Sequence, residues 1–326
     1  MKPLRTELIL PLPQFQFGFQ SPVVTTGSCF SQTIGRKLQQ SKFRVLNNPF
    51  GTVYNPISIH QQFIAALSQS TPAMNHFLED QHHHFHYQYH SSTGMPSRED
   101  LMRHIQKLND EVKAAIALSH VLIITYGTAY VYRLKADAEI VANCHKQSSA
   151  LFTKALLTME EVVASFRKLL DLLLPVNKNL QILLTVSPVR HLKDTLPLNS
   201  VSKSILRLAC HELVQQYPQV KYFPAYELMM DDLRDYRFYK EDRIHPTKEA
   251  TSYIWKKFKE QFIQNESREL MVAVKTIRQG MKHQAFHPGS LNHRQFLTTL
   301  EKKITSLEGQ CDMAQERKWI NEQLAL

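Results

Sequence analysis

The amino-acid sequence predicts an α/β protein built on a parallel, doubly wound sheet. Short apolar runs bounded by turn residues recur along the chain, and apolar residues with helical spacing lie between them. The runs are apolar at nearly every position, which is typical of strands that are buried on both faces. Parallel neighbours need a crossover connection, for which a helix is usual. We therefore expect helices on both faces of the sheet.

Five apolar runs predict the strands. In chain order they are PVVTT (22–26), FRVLNN (43–48), HVLIITYG (120–127), LQILLTVSP (180–188) and VKYFPAY (220–226). Apolar residues with helical spacing mark the buried faces of the helices that connect or follow these strands. These residues are Phe30/Ile34/Leu38, Ile105/Leu108/Val112/Ile116, Val162/Phe166/Leu169/Leu170/Leu173, Ile205/Leu208/Leu213 and Ile254/Trp255/Phe258. Strands and helices thus alternate, as a doubly wound fold requires.

The sequence pattern divides the chain into two parts. Residues 1–264 carry the alternating pattern, whereas residues 265–326 are polar and helical, with a break at Pro288-Gly289. We expect the second part to be a C-terminal helical extension that packs on the core or pairs two copies of the chain. An insertion at about residues 70–100 is longer than an ordinary α/β connection. Long loops of this kind are often functional, and this insertion could form a lid.

Composition and charge exclude several classes of protein. The chain has 326 residues, of which 43% are hydrophobic and 21% charged, and no run approaches the roughly 18 to 20 apolar residues that span a bilayer. Prolines interrupt the N-terminal segment before a signal-peptide core can form, so we expect a cytoplasmic protein without a membrane partner. The net charge is +10, but the basic residues are scattered, so no nucleic-acid partner is expected.

The cysteines predict neither disulfides nor a zinc knuckle. The four cysteines lie far apart with no CxxC pair, and they are Cys29, Cys144, Cys210 and Cys311. We expect reduced thiols. Cys29 adjoins Ser28, but on a helix neighbouring side chains point about 100° apart, so we expect Cys29 to pack in the core.

Candidate site residues follow the predicted strands, where open α/β sheets bind ligands. After the first strand, Ser28 precedes a helix, whose free N–H groups and dipole would stabilise developing negative charge. Serine is also a favoured N-cap, so a nucleophile and a helix cap both stay open. Gly51 follows the second strand, where it could offer an amide or only form a turn. Thr128 follows the third strand and could line a pocket.

The segment EDRIHPTKEA follows the last strand and contains Asp242 and His245. An aspartate three residues before a histidine can bind the imidazole, hold its tautomer and leave the other nitrogen facing a nucleophile. A helix is predicted to start after Pro246, so the alternative is that Asp242 and His245 belong only to the cap region of this helix. The three residues occur in the chain order Ser28, Asp242, His245.

Several ordered motifs together resemble those of one family. They are GSCF (27–30), NPFGTVYNP (48–56), ITYGTAYVY (124–132), VANCHK (141–146), TVSPVRH (185–191), YFPAYE (222–227) and DRIHP (242–246). Over about residues 20–260 the chain resembles the GSCFA family of the SGNH (GDSL-like) hydrolase superfamily. This resemblance implies a flavodoxin-like, three-layer α/β/α fold with a parallel five-stranded sheet, and ester hydrolysis.

The resemblance also implies roles for individual residues. Ser28 is the nucleophile, and Asp242 and His245 complete the triad. The amide of Gly51 joins the serine amide in the oxyanion hole. The third block of the superfamily reads Gly-x-Asn-Asp, with the asparagine as a donor, but this chain reads GTAY at 127–130. Asn143 is a candidate replacement for the missing donor.

Further histidines have more than one possible role. In QHHHFHYQYH, an extended strand would place His82, His84, His86 and His90 on one face and Phe85, Tyr87 and Tyr89 on the other. The histidines could ligate zinc, but without matching acidic or cysteine ligands a solvated edge strand or lid is favoured, and we expect no metal. His90 and His191 are candidates for substrate contact, and Arg190 could receive an anionic group.

We therefore expect a serine esterase that cleaves an O-acyl (acetyl) ester of a carbohydrate or another small substrate through an acyl-enzyme on Ser28, without a cofactor. An acyltransferase that uses the same triad is one alternative. A non-catalytic carbohydrate-binding or ligand-binding protein is another, supported by the missing Gly-x-Asn-Asp block. A homodimer through the C-terminal helices also remains open.

Overall fold

A computed structural model describes residues 6–10, 15–80, 82–283, 286–287 and 289–325. Its strands, in chain order, are β1 Val23–Gly27, β2 Val45–Thr52, β3 Phe77–Asp80, β4 His83–His86, β5 Val121–Tyr126, β6 Tyr130–Leu134, β7 Ile140–Val141, β8 Phe152–Leu156, β9 Gln181–Val186 and β10 Val220–Phe223. Its helices are α1 Cys29–Gln40, α2 Pro56–Ser68, α3 Arg98–Leu118, α4 Met159–Val176, α5 Thr195–Gln216, the single turn α6 Ala225–Glu227, α7 Lys248–Phe262, α8 Asn265–Met281, α9 Leu291–Leu307 and α10 Ala314–Leu324.

The central sheet has five parallel strands in the order β10-β9-β5-β1-β2. Numbered along the chain among themselves, these strands have the order 2-1-3-4-5, reversed end to end, which is the flavodoxin-like arrangement. All five predicted strands are present, so the predicted fold class is confirmed. The sheet is irregular between Thr25 and Gly27, where the pairing of β1 with β2 shifts register.

Both faces of the sheet are buried. Successive residues of β5 belong to two different apolar clusters, one on each face. Leu122 and Ile124 pack with α2, α3, α4 and α5, whereas Val121 and Ile123 pack with α1 and α7. Burial of alternate residues on both sides explains why the strands are apolar throughout. The layers of helices hold the carboxyl ends of the strands at one edge of the molecule.

Helix α5 buries a more polar face than its periodicity predicts. Leu208 was expected in the buried stripe, but its side chain is 57% exposed. The buried face instead contains Asn199, Ser202 and Lys203 before Leu206. Polar groups on this face bond to the ends of β5 and β9, which hydropathy cannot reveal.

The insertion folds as a packed hairpin. Strands β3 and β4 pair antiparallel, and the segment after them joins a cluster with the small antiparallel sheet β7-β6-β8. The expected strand through His90 is wrong, because β4 ends at His86 and His82 has a left-handed φ of 70°. His90 instead caps a short turn. Gln81 lies outside the described residues.

Helices α8, α9 and α10 enclose a small core of their own, whose members include Val274, Ile277, Leu300 and Ile304. The Lys42 ammonium contacts the Glu316 carboxylate at 2.7 Å and ties α10 to the end of α1. Of the predicted break, Gly289 has a left-handed φ of 83°, and Pro288 lies outside the described residues. No helix in the described part of the chain is both long and apolar enough to cross a membrane.

Candidate active site

A cavity of about 600 Å³ opens at the carboxyl ends of the central strands. Residues that follow β1, β5 and β9, together with the segment before α7, contribute to its wall. Members of this wall include Cys29, Tyr54, Thr128, Asn143, His191 and His245. The position agrees with the usual ligand site of an open α/β sheet.

The turn from β1 into α1 buries Ser28. Gly27 has a φ of 121°, and a Cβ there would collide with the carbonyl of Thr125. Ser28 is 0% exposed, and its Oγ accepts a hydrogen bond from the N–H of Phe30 at 3.3 Å. The Ser28 N–H donates to the carbonyl oxygen of Thr125 at 3.1 Å. Ser28 is therefore the N-cap of α1, and its amide is already bonded within the sheet.

Cys29, one residue later, lies on the cavity wall. It is half-buried and is the first residue of α1, so the expectation that it packs in the core is wrong. The turn thus leaves Ser28 buried and Cys29 at the cavity. Burial raises the pKa of the Cys29 thiol, while the N–H groups of Cys29 and Phe30 and the ammonium groups of Lys203 and Lys240 act to lower it.

Asp242 and His245 form a bonded pair in the loop before α7. Asp242 Oδ2 lies 2.7 Å from His245 Nδ1. The other oxygen, Oδ1, accepts the backbone N–H groups of Ile244 at 2.8 Å and His245 at 2.9 Å. These two N–H groups, together with the imidazole, hold the pKa of Asp242 well below its usual range. A carboxylate on Nδ1 fixes the proton there and leaves the Nε2 lone pair available at the cavity.

Arg190 holds this loop against the body of the protein. Its guanidinium lies 4.0 Å from the ring centroid of Tyr239 and 5.3 Å from that of Tyr236. Its backbone N–H donates to the carbonyl of Ile244 at 3.3 Å. Arg190 was expected as an anion receptor, and this stacking gives its planar cation a positioning role.

Gly51 and His90 pack closely at the edge of the cavity. Gly51 has a φ of 77°, and a Cβ there would overlap the imidazole of His90. His90 lines the cavity beside Thr52, and of the described residues Thr52, not Gly51, contributes to the wall. His90 Nδ1 accepts the N–H of Ser92 at 3.2 Å, and burial lowers the pKa of the imidazole.

Thr128 and Asn143 also line the cavity, but their polar groups have partners. The Thr128 N–H donates to the Tyr54 carbonyl at 3.1 Å, and its hydroxyl lies 3.0 Å from the hydroxyl of Ser202. Asn143 Nδ2 donates to Ser91 Oγ at 2.9 Å, and its Oδ1 accepts the N–H of His145 at 2.8 Å. An oxyanion role for the Asn143 side chain would have to use the second N–H of Nδ2, because the first donates to Ser91.

His191 packs against Tyr54 with ring centroids 5.3 Å apart. Among the described residues, none bonds to its buried Nε2. Burial, with the nearby charges of Lys203 and His245, lowers the pKa of His191 to about 3. His191 is therefore a neutral donor or acceptor on the cavity wall, where its Nε2 could bond to a ligand.

Three histidines in or beside the insertion make structural contacts. His76 Nε2 contacts Asp137 at 2.7 Å, His86 Nε2 contacts the Ala73 carbonyl at 3.2 Å, and His145 Nε2 contacts the carbonyl of His86 at 3.1 Å. In the part of the chain that is described, no three His, Cys, Asp or Glu side chains are arranged to hold a metal ion.

Sequence reasoning missed Lys203. Its side chain is 1% exposed, and its ammonium donates to the carbonyls of Gly127 and Ser187, both at 2.7 Å. Burial lowers the pKa of Lys203 to about 7, and Cys29 acts in the opposite direction. The sequence could have indicated this burial. Lys203 precedes Leu206 by three residues and Cys210 by seven, a spacing that places all three on one face of a helix.

Two family models match the chain. One, described as "GSCFA family", matches residues 22–258, and another, described as "GSCFA domain protein, C-terminal domain", matches residues 274–326. None of the curated proteins matches the chain. Among solved structures, the chain is similar to a carbohydrate esterase family 3 protein from Talaromyces cellulolyticus. The identity is 7%, the TM-score is 0.35, and the match covers 78% of this chain and 99% of that chain.

Proposed function

The chain belongs to the GSCFA family, and on that premise we propose that it is an esterase that cleaves O-acyl esters, acetyl esters above all. One observation carries this proposal. Asp242 and His245 are bonded at 2.7 Å, and His245 lies on the wall of a cavity of about 600 Å³. An oriented imidazole at a cavity is the base that an acyl-enzyme mechanism needs.

In the proposed reaction, His245 Nε2 takes a proton from a nucleophile at the start of α1, which attacks the ester carbonyl. The alcohol leaves with the proton from His245, and water then cleaves the acyl-enzyme. The motif resemblance to SGNH hydrolases names Ser28 as this nucleophile. In that form, the Ser28 hydroxyl must release the N–H of Phe30 and reach the cavity, and its own N–H must leave Thr125 to join an oxyanion hole.

The cavity wall supports a polar substrate. Tyr54 and Tyr132 supply aromatic rings, and Lys193 supplies a donor. Lys154 lies 4.5 Å from the ring centroid of Tyr130 and pairs with Asp194, so these groups already have partners. Pockets that combine aromatic walls with a few polar groups suit sugar rings that carry ester groups. We therefore propose an acylated carbohydrate, or a small alcohol ester of similar polarity, as the substrate class.

The test is hydrolysis of p-nitrophenyl acetate and acetylated monosaccharides by the purified protein. We expect His245→Ala to lower kcat/KM by roughly 10³-fold and Asp242→Asn by roughly 10²- to 10⁴-fold. His211→Ala is the matched control, because His211 is exposed on α5. Acetate measured with and without added glycerol separates hydrolysis from acyl transfer.

Two results would contradict the proposal. One is a folded wild-type protein that turns over none of these esters. The other is a His245→Ala variant that turns them over at the wild-type rate, because the reaction would then take place elsewhere.

A further inference from the structure

We propose that the acyl group is carried by the thiol of Cys29 and that Ser28 is a structural helix cap. This inference rests on the esterase function proposed above and names the nucleophile of the same site. It gives Ser28 a role different from the one that the sequence motif suggests.

Access to the cavity separates the two residues. Cys29 lines the cavity that His245 also lines, whereas Ser28 is 0% exposed. The Ser28 hydroxyl accepts the Phe30 N–H, as the N-cap of a twelve-residue helix should. Freeing that hydroxyl would uncap α1 and would also require the turn at Gly27 to rearrange. The thiol needs neither change.

The surroundings of Cys29 suit a reaction that develops negative charge. Cys29 is the first residue of α1 and lies at the N-terminus of this helix, where the helix dipole is positive. The N–H groups of Cys29 and Phe30 act to lower the pKa of the thiol. The ammonium groups of Lys203 and Lys240 act on it in the same direction. Burial nevertheless keeps the pKa of the thiol raised, so the resting group is protonated. A protonated thiol needs a base at the moment of attack, and His245 supplies one.

Cys144 also lines the cavity, but its position fits the role less well. It follows the two-residue strand β7 and does not begin a helix. Burial raises the pKa of its thiol, and Lys193 is the cation that acts to lower it. Cys29 alone of these two sits at a helix N-terminus, and it follows a strand of the central sheet.

The reaction balances without a further reactant. The proton of Cys29 Sγ passes to His245 Nε2 as sulfur forms a bond to the ester carbonyl carbon. The carbon–oxygen bond to the alcohol breaks, and the alcohol leaves with that proton. Water then attacks the thioester, giving a proton to His245, the carbon–sulfur bond breaks, and the proton returns to sulfur. One ester and one water become one acid and one alcohol.

The experiment traps the acyl-enzyme. Wild-type protein is mixed with p-nitrophenyl acetate, quenched in acid at early times and mapped by peptide mass spectrometry. We expect an acetyl group on Cys29 that neutral hydroxylamine removes, as it removes thioesters. Cys29→Ala should lose the adduct and at least roughly 10³-fold in kcat/KM. Ser28→Ala should have a lower Tm and still form the adduct. Cys311→Ser is the control, because Cys311 lies outside the cavity.

The outcomes distinguish the two proposals. An acetyl group on Ser28 or Cys144, or a Cys29→Ala variant with wild-type turnover while His245→Ala has none, overturns the role of Cys29 and leaves the esterase. Turnover at the wild-type rate in all three variants, Cys29→Ala, Ser28→Ala and His245→Ala, overturns the esterase function itself. If Cys29→Ala does not fold, Cys29→Ser replaces it, with the expectation of at least roughly 10-fold lower kcat/KM.

Iodoacetamide gives a second readout that needs no substrate. At neutral pH we expect Cys29 to be alkylated in the folded protein, and several-fold more slowly in His245→Ala, with Cys144 as the internal reference. Cys29 that resists alkylation until the protein unfolds would overturn the proposal, because a nucleophile must be accessible from the cavity.

Discussion

Lys203 joins two strands of the central sheet beneath the candidate site. Its ammonium donates to the carbonyls that follow β5 and β9, those of Gly127 and Ser187. These carbonyls lie at the strand ends, where the cavity begins. A buried cation loses much of its hydration, which is why burial lowers the pKa of Lys203 to about 7. Lys203 thus links two strands at the base of the cavity, and the cost of burying its charge depends on pH.

The free energy of unfolding should therefore rise between about pH 7 and pH 10.5 through Lys203. In that range the unfolded chain keeps the proton that the folded chain has lost, so a higher pH favours the folded state. We expect Lys203→Met to remove this rise, with a difference in slope of at most about 1.4 kcal/mol per pH unit for one proton. Urea unfolding at pH 7, 8 and 9 measures it. Lys178→Met, at an exposed lysine, is the control, and parallel curves for wild type and Lys203→Met would contradict the expectation.

Residue roles at the start of α1 could be predicted only in part. The sequence indicates a helix beginning after Gly27, with Ser28 in the capping position, and the structure has this arrangement. It does not indicate which of Ser28 and Cys29 faces the cavity. That choice depends on the φ of 121° at Gly27 and on the bond from Ser28 N–H to Thr125, a residue almost a hundred positions away. Local helical geometry cannot supply such a contact.

At the scale of elements, long apolar patterns were reliable and short ones were not. The five central strands and the helices α1, α3, α4 and α7 match the predicted patterns. The sheet β7-β6-β8 was missed, because its strands have only two to five residues and because β6 and β8 contain exposed side chains. These strands pair with each other, and Leu134, Val141 and Phe152 pack with Tyr87 of the insertion. Their packing against the insertion brings Asn143 to the cavity.

The loop that carries Asp242 and His245 should depend on Arg190. We expect Arg190→Ala to speed hydrogen exchange at the amides of Lys240 and Arg243 about two- to fivefold, because an exposed cation–π contact contributes about 0.5 to 1 kcal/mol. Both amides donate within this loop. Exchange measured by mass spectrometry in native buffer tests the expectation without assuming an activity.

Arg237→Ala is the matched control for this loop. Its guanidinium lies 5.0 Å from the ring centroid of Phe238, so that contact joins two neighbouring residues and does not tie the loop to β9. We expect exchange at Lys240 and Arg243 to stay close to wild type. A loop that exchanges at the same rate in Arg190→Ala and in wild type would show that the backbone bonds of Asp242 are sufficient to hold it.

At the scale of the whole molecule, apolar and polar contacts both join the C-terminal helices to the α/β part. Met271 of α8 belongs to the apolar cluster of α1 and α7, and Leu270 and Cys311 pack against both this cluster and that of α8–α10. The clusters on the two faces of the central sheet belong to the α/β part, and α8, α9 and α10 enclose a third. Lys42 and Glu316 meet between α1 and α10, with side chains 14% and 5% exposed. Because this pair is largely out of water, loss of one partner leaves a poorly hydrated charge.

We expect Glu316→Ala to loosen the C-terminal helices while the α/β part stays folded. The loss should be about 2 kcal/mol, less than for a fully buried pair, because Lys42 keeps some contact with water. Amide exchange should then speed up by roughly thirtyfold in α8–α10 and remain unchanged in β5.

Glu301→Ala is the control for this prediction. Glu301 pairs with Arg317 at 3.4 Å inside the C-terminal helices, and the Glu301 side chain is 36% exposed. An exposed pair of that kind contributes about 1 kcal/mol at most. Equal acceleration in β5 and in α8–α10 would instead mean that the two parts unfold as one cooperative unit.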